Sequence, residues 1–236
     1  MNTMIAVTNL TLFLLAGQSN MAGRGGMTEE DRQPFGERIV MLNKGCAWVP
    51  AKNPIHFDNV RAGVGPAYSF VTAYAKDHPD ETIGLVPCAI GGTYVRTWVP
   101  GGFCFEKAKA RIDAAKKAGT FKAILWLQGE TDGAHDTDEE LAESFKKLSL
   151  EAWSSLRKEC GDEKLPVYVG EIGYFNPKCA ARINPLLKEA VEADGNAKLV
   201  SAEGLEWNSK KDAWHFNRES QLELGLRFYK TLKSAQ

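Results

Sequence analysis

The chain has 236 residues, 44% of them hydrophobic and 25% charged, the make-up of an ordinary globular protein with enough length to bury a large core. Its 29 Lys and Arg nearly balance 30 Asp and Glu, for a formal net charge of −1. No basic run, arginine-rich stripe or zinc-finger spacing occurs, so nucleic acid is not an expected partner. No apolar run approaches the length of a membrane span, so a membrane is not expected either.

In chain order, the first element is the apolar stretch LTLFLLAG over 10–17. It resembles the centre of a signal peptide, but it is short, no Lys or Arg precedes it, and it runs straight into a polar block around Ser19. We read it as the first core strand, over 10–16. Localisation is left open between the cytoplasm and a mature secreted form. Residues 22–65 form a long irregular stretch rich in Gly and Pro, with one strand at 38–42, and are expected to build a wall of a binding site. From there helices and strands alternate. Helical periodicity predicts helices over 66–77, 106–118, 138–160, 177–193 and 218–233, and apolar runs predict strands over 82–89, 121–127, 165–172 and 197–202. Asn217 is placed to cap the last helix, with Glu219 in its first turn. Leu222, Leu226 and Tyr229 are expected on the face of that helix that meets the sheet. The five cysteines (Cys46, Cys88, Cys104, Cys160, Cys179) are scattered and odd in number, which predicts free thiols.

Strand–helix alternation along the whole chain predicts an α/β protein: a single-domain α/β/α sandwich over 1–236 with a doubly wound, mainly parallel sheet. In such sheets ligands bind beyond the carboxyl ends of the strands. Four polar blocks fall at those ends: Gly17-Gln18-Ser19-Asn20-Met21, Ile90-Gly91-Gly92-Thr93, Trp126-Leu127-Gln128-Gly129-Glu130, and Asp212-Ala213-Trp214-His215. Singly, each has a plain structural explanation: Ser19 as a helix cap, Gly91-Gly92 as a tight turn, Gln128 as a loop brace, Asp212 and His215 as a surface pair. Together they supply a nucleophile, an oxyanion-stabilising loop, a base and a carboxylate to orient it. The D-x-x-H spacing is expected to set Asp212 and His215 on one side of a single turn. His135 with Asp132, Asp136 and Asp138 lacks the alternation and terminal Glu of a calcium loop; it reads as an acidic helix lead-in, and no metal is expected there. No phosphate loop, dinucleotide fingerprint or G-x-S-x-G elbow occurs.

These four blocks resemble those of the SGNH (GDSL-like) hydrolases, whose fold is flavodoxin-like. The branch most similar is the carbohydrate esterases of family six, acetylxylan esterases and their relatives, with the sialate O-acetylesterases nearby. The resemblance runs from about Leu10 to the last helix. It implies that Ser19 is the nucleophile, His215 the general base and Asp212 its orienting acid. It further implies an oxyanion hole made of the N–H of Ser19, the N–H of Gly92 (in preference to Gly91) and the side-chain amide of Gln128. The wider superfamily carries Asn where this chain has Gln128; the esterase branch shares the Gln. The implied partner is an acetylated carbohydrate, acetylxylan or its oligosaccharides first and an acetylated sialic acid or small ester second, and no cofactor is required. A non-catalytic carbohydrate-binding relative is the alternative of another class; loss of the serine, aspartate or histidine would mark it, and this chain keeps all three. Trp48, Tyr94, Trp98, Phe103 and Trp214 lie in or beside the site loops and are the candidates for contact with a sugar ring.

Overall fold

The structure is a computed structural model that describes residues 7–209 and 211–235. Its elements, in chain order, are β1 (Leu10–Gly17), α1 (Ser19–Ala22), β2 (Ile39–Leu42), β3 (Trp48–Pro50), α2 (Ala67–Asp77), β4 (Ile83–Pro87), α3 (Phe103–Ala115) and β5 (Gly119–Leu127). There follow α4 (Glu130–His135), α5 (Asp138–Glu140), α6 (Lys146–Cys160), β6 (Val167–Gly170), α7 (Pro177–Asp194), β7 (Ala197–Val200), β8 (Trp207–Ser209), β9 (Asp212–Phe216) and α8 (Arg218–Ser234).

Seven strands form one sheet in the order β3-β2-β4-β1-β5-β6-β7. Every pairing is parallel except that of β3 with β2. The sheet is covered on both faces, and β1 shows why its sequence reads as a continuous apolar run. Leu12 and Leu14 point into a core shared with Phe105 and Ile112 of α3, Trp153 and Leu156 of α6, and Ile183 and Leu187 of α7. Phe13 and Leu15, on the opposite face, pack with Phe70 and Tyr74 of α2 and with Leu224 and Phe228 of α8. The Phe13 ring meets both Phe70 and Tyr74 edge-on at 4.9 Å. The result is the expected α/β/α sandwich around a mixed, mainly parallel sheet, with the layout of an SGNH-like, flavodoxin-like fold.

Buried Arg111 of α3 ties two strand ends together by donating to the carbonyls of Leu42 (2.7 Å) and Pro87 (2.7 Å). All five cysteines are free. Asn217 caps α8 by accepting from the Ser220 N–H at 2.8 Å.

Several expectations need correction. β3 is too short for a periodicity signal, and Trp48, expected near the site, belongs to it. The ring fills the space above Gly84, where an added Cβ would approach it to 2.9 Å. The helix over 138–160 is interrupted by a wide turn at Leu141–Phe145. On α8 the buried stripe is Leu224, Phe228 and Leu232 with Gln221, Gly225 and the expected Tyr229, while Leu226 is 46% exposed and Leu222 half-buried. Two apolar series on this helix repeat at helical spacing; only packing against α2 and the sheet selects one. Asp212 and His215 lie not in a turn but on strand β9 of a two-stranded antiparallel hairpin.

Candidate active site

The chain leaves β1 for β2, β3 and β4 on one side of the sheet and then crosses β1 from β4 to β5, β6 and β7 on the other, so β1 stands at the topological switch point. Beyond its carboxyl end lies a cavity of about 290 Å³. Gln18 and Ser19 line it from β1–α1, Gly91 and Gly92 from beyond β4, Glu130 and Thr131 from beyond β5, and Trp214 and His215 from the hairpin.

Ser19 Oγ lies 2.9 Å from His215 Nε2, and His215 Nδ1 lies 2.7 Å from Asp212 Oδ1. In a regular strand, residues three apart face opposite sides. The hairpin register resolves this: Ser209 pairs with Asp212 and Trp207 with Phe216, so β9 carries more residues than β8 over the same interval. That bulge turns Asp212 and His215 to one side. Burial holds the imidazole below its ordinary value, against the opposing pull of Asp212. Burial would raise Asp212, but the charge and hydrogen bond of His215 leave it below the usual carboxylate value. The imidazole therefore stays neutral at pH 7, with one nitrogen held by a carboxylate and the other free to take a proton from Ser19.

Asn20, next to the serine, locks the histidine strand to α1. Its amide donates to the Trp214 carbonyl at 3.0 Å and its Oδ1 accepts from the Phe216 N–H at 3.1 Å, the two positions flanking His215. The same amide donates to Glu130 Oε1 at 2.5 Å. Glu130 is buried with its other oxygen unpartnered among the described residues, and burial pushes its carboxyl up to about 7. Asn20 and Glu130 are parts of the candidate site that sequence reasoning passes over, although both lie inside quoted blocks. Nothing in their spacing marks one as a clamp and the other as its buttress.

The Gly91-Gly92 turn is fixed from the far side. Asp58 accepts the Gly91 N–H at 2.9 Å and is itself gripped by Arg24 at 2.6 Å. Burial would raise Asp58, yet Arg24 and the Gly91 N–H leave it below the ordinary value. A Cβ on Gly91 would come within 2.6 Å of Arg24 and 3.3 Å of the Ser19 Cβ, so the turn sits directly against the serine. Gly92 adopts a φ of +73°, a region glycine enters without strain. Since the Gly91 N–H is taken, the Gly92 N–H is the one without an acceptor among the described residues. The Ser19 N–H opens α1, where the first N–H groups of a helix have no partner within it.

Gln128 is placed differently from expectation. It is wholly buried, and its amide nitrogen faces three acceptors: the Thr93 carbonyl at 2.6 Å, Gln18 Oε1 at 3.0 Å and Asp132 Oδ2 at 3.0 Å. An amide has two N–H groups, fewer than the protein acceptors that surround this nitrogen.

The aromatic candidates separate cleanly. Trp214 is 42% exposed and lines the cavity. Trp98 is fully buried edge-on against Trp126 at 5.3 Å, so it is core, as is Trp48. Tyr94 is half-buried beneath the Arg96 guanidinium, 3.6 Å from the ring centre, outside the cavity lining. Phe103 lies on a separate hollow with Phe57. In the acidic segment, Asp132 accepts from the Val95 N–H at 2.9 Å, Asp136 meets Arg96 at 3.2 Å and Asp138 meets Arg182 at 2.6 Å. Each carboxylate thus has its own partner, while His135 lines the cavity. Asn59 and Arg61 bring the long segment after α1 to the cavity as a wall.

Fold and site together define a hydrolase-like α/β sandwich of the SGNH type, with its polar blocks gathered at the carboxyl edge of β1. The chain belongs to the family of carbohydrate esterases described as sialic acid-specific acetylesterases, whose family model matches residues 9–234. It is 32% identical over 240 residues to a probable carbohydrate esterase of Arabidopsis thaliana, covering 91% of this chain and 87% of that protein. The solved structure of the Arabidopsis protein superposes with a TM-score of 0.81 at 30% identity, over 96% of this chain and 98% of the other. A structure of NanS shares the fold, with a TM-score of 0.71 at 17% identity over 98% of each chain. So does a carbohydrate acetylesterase of Xanthomonas citri, with a TM-score of 0.62 at 15% identity, over 95% of this chain and 57% of that one.

Proposed function

We propose that the protein is a serine esterase that removes O-acetyl groups from carbohydrates through an acyl-enzyme intermediate. The observation that carries this reading is the continuous relay from Ser19 to His215 to Asp212, at 2.9 and 2.7 Å. His215 Nε2 takes the Ser19 proton as Oγ attacks the ester carbonyl. The oxyanion that forms meets the N–H groups of Ser19 and Gly92. His215 then protonates the departing sugar hydroxyl and later activates the water that releases acetate. Trp214 offers its exposed face to the sugar ring. The family and the Arabidopsis relative support a carbohydrate ester as substrate, and an acetylated xylo-oligosaccharide is the first choice. A second reading, an O-acetylated acidic sugar such as sialic acid, is favoured by Arg61, an exposed cation on the cavity wall.

Hydrolysis of p-nitrophenyl acetate tests the central assignment. Ser19→Ala is expected to abolish turnover while melting at the wild-type temperature, and His215→Ala to lose far more activity than His135→Ala. Near-normal turnover in Ser19→Ala would overturn the reading. Acetate release from acetylated xylo-oligosaccharide and from O-acetylated sialic acid, compared by kcat/KM, decides between the two substrates; an Arg61→Ala loss confined to the acidic sugar would support the second.

A further inference from the structure

With Gln128 turned to other acceptors, the Ser19 and Gly92 N–H groups leave the oxyanion one donor short of the expected set. We propose that the side-chain amide of Gln18 is the third oxyanion donor, and that Gln128 is a positioning residue acting through it; this rests on the serine-esterase reading.

Gln18 immediately precedes the nucleophile and lines the same cavity, yet only 2% of it is exposed. Its Oε1 is held on the protein side by two separate donors, Gln128 Nε2 at 3.0 Å and the Thr131 N–H at 3.3 Å. Those two donors also settle which end of the amide is which. Exchanging oxygen and nitrogen would set a donor against both the Gln128 amide and the Thr131 N–H, leaving all of them unsatisfied. The Gln128 amide cannot rotate to compensate, because Thr93 and Asp132 fix it from the other side. The oxygen of Gln18 is thus committed, while its Nε2 donates to no acceptor among the described residues and is not enclosed by them, so it opens on the cavity. An amide donor open to the cavity beside a nucleophile, locked in one orientation and bonded to no protein acceptor, is preorganised for negative charge that appears only during reaction. The chain Asp132–Gln128–Gln18 also polarises in the right sense: the carboxylate accepts from Gln128, which donates to the oxygen of Gln18 and strengthens the N–H on its far side.

The test uses four variants, Gln18→Ala, Gln18→Glu, Gln128→Ala and the Gln18→Ala/Gln128→Ala double, with Ser19→Ala and wild type as references. Steady-state p-nitrophenyl acetate hydrolysis and melting temperature are measured on the same samples. Gln18→Ala is expected to lower kcat by ~100-fold or more with KM within a few-fold of wild type, since the donor acts on the transition state and not on bound substrate. Gln18→Glu keeps the size and the accepting oxygen but replaces the donor with negative charge, and is expected to be at least as damaging. Gln128→Ala is expected to lower kcat less, and to add little in the Gln18→Ala background because both act through one amide. Wild-type kcat in Gln18→Ala, with Ser19→Ala inert, would overturn the assignment alone. Losses that multiply in the double variant would show that Gln128 acts independently of Gln18 and would overturn its positioning role. Full activity in Ser19→Ala would instead sink the serine-esterase reading, and this inference with it.

Discussion

His215 lies between opposing influences, and the balance sets how it is used. Burial disfavours the imidazolium, Asp212 favours it, and burial prevails, so the folded-state value falls below the ordinary 6.5. The base form is the neutral one, so kcat/KM is expected to rise as pH increases through a midpoint below 6.5 and to be level at neutrality. Asp212→Asn removes the influence that raises the value. Its midpoint is expected to move further down, while kcat falls by roughly 10³- to 10⁴-fold through loss of the orienting partner. A pH–rate profile of both proteins checks this; a wild-type midpoint above 6.5, or an upward move in Asp212→Asn, would contradict the burial argument. The arginines near the site are equally specific in their work. Arg24 is committed to Asp58 and through it to the Gly91 N–H, whereas Arg61 faces the cavity from an exposed position.

Among the elements, the site depends on how a four-residue helix is joined to a short hairpin. β8 is exposed and β9 only half-buried, with Phe216 as the one β9 side chain anchored in the core, so the two-stranded pairing by itself holds His215 from one side only. Asn20 supplies the missing constraint by engaging the backbone on both sides of the histidine. Asn20→Ala strands a part-buried carbonyl, a buried N–H and the buried Glu130 carboxyl together, and is expected to cost about 2–4 kcal/mol of stability. Chemical denaturation measures that loss, and hydrogen exchange at the Phe216 amide is expected to accelerate beyond the global change. Unchanged protection at Phe216 would show that the hairpin holds itself.

For the molecule as a whole, two buried acids make stability depend on pH. Burial raises Glu130 from 4.5 to about 7 and Asp132 from 3.8 to about 6. The folded state therefore keeps protons that the unfolded chain releases. Their contribution is full below pH ~4 and is lost as pH rises through the folded-state values. His215, lowered on folding, acts in the opposite sense, withdrawing stability as pH falls below 6.5. Glu130→Gln keeps an acceptor for Asn20 and cannot ionise. It is expected to melt near wild type at pH 5 and above it at pH 8, by on the order of 3 kcal/mol at most. Melting curves at the two pH values are sufficient, and a variant less stable than wild type at pH 8 would contradict the assignment.

The strand and helix pattern was legible because it rests on local periodicity. A run such as Leu12-Phe13-Leu14-Leu15 can be buried only with cover on both faces, and Asn217 before Arg218 caps a helix whatever surrounds it. The order of the polar blocks was legible too, since a doubly wound sheet sends every strand end to one edge. What residues do once they arrive is not a local property. Three-residue β3 carries too little signal to predict, and the choice between the Leu222–Leu226 and Leu224–Phe228 stripes of α8 was made by packing alone. The bulge that turns Asp212 toward His215 exists only in the register between β8 and β9. Above all, Gln18 and Gln128 are the same side chain in two polar blocks. Only tertiary structure, by giving one amide nitrogen three acceptors and the other none among the described residues, decided which faces the cavity and which stands behind it.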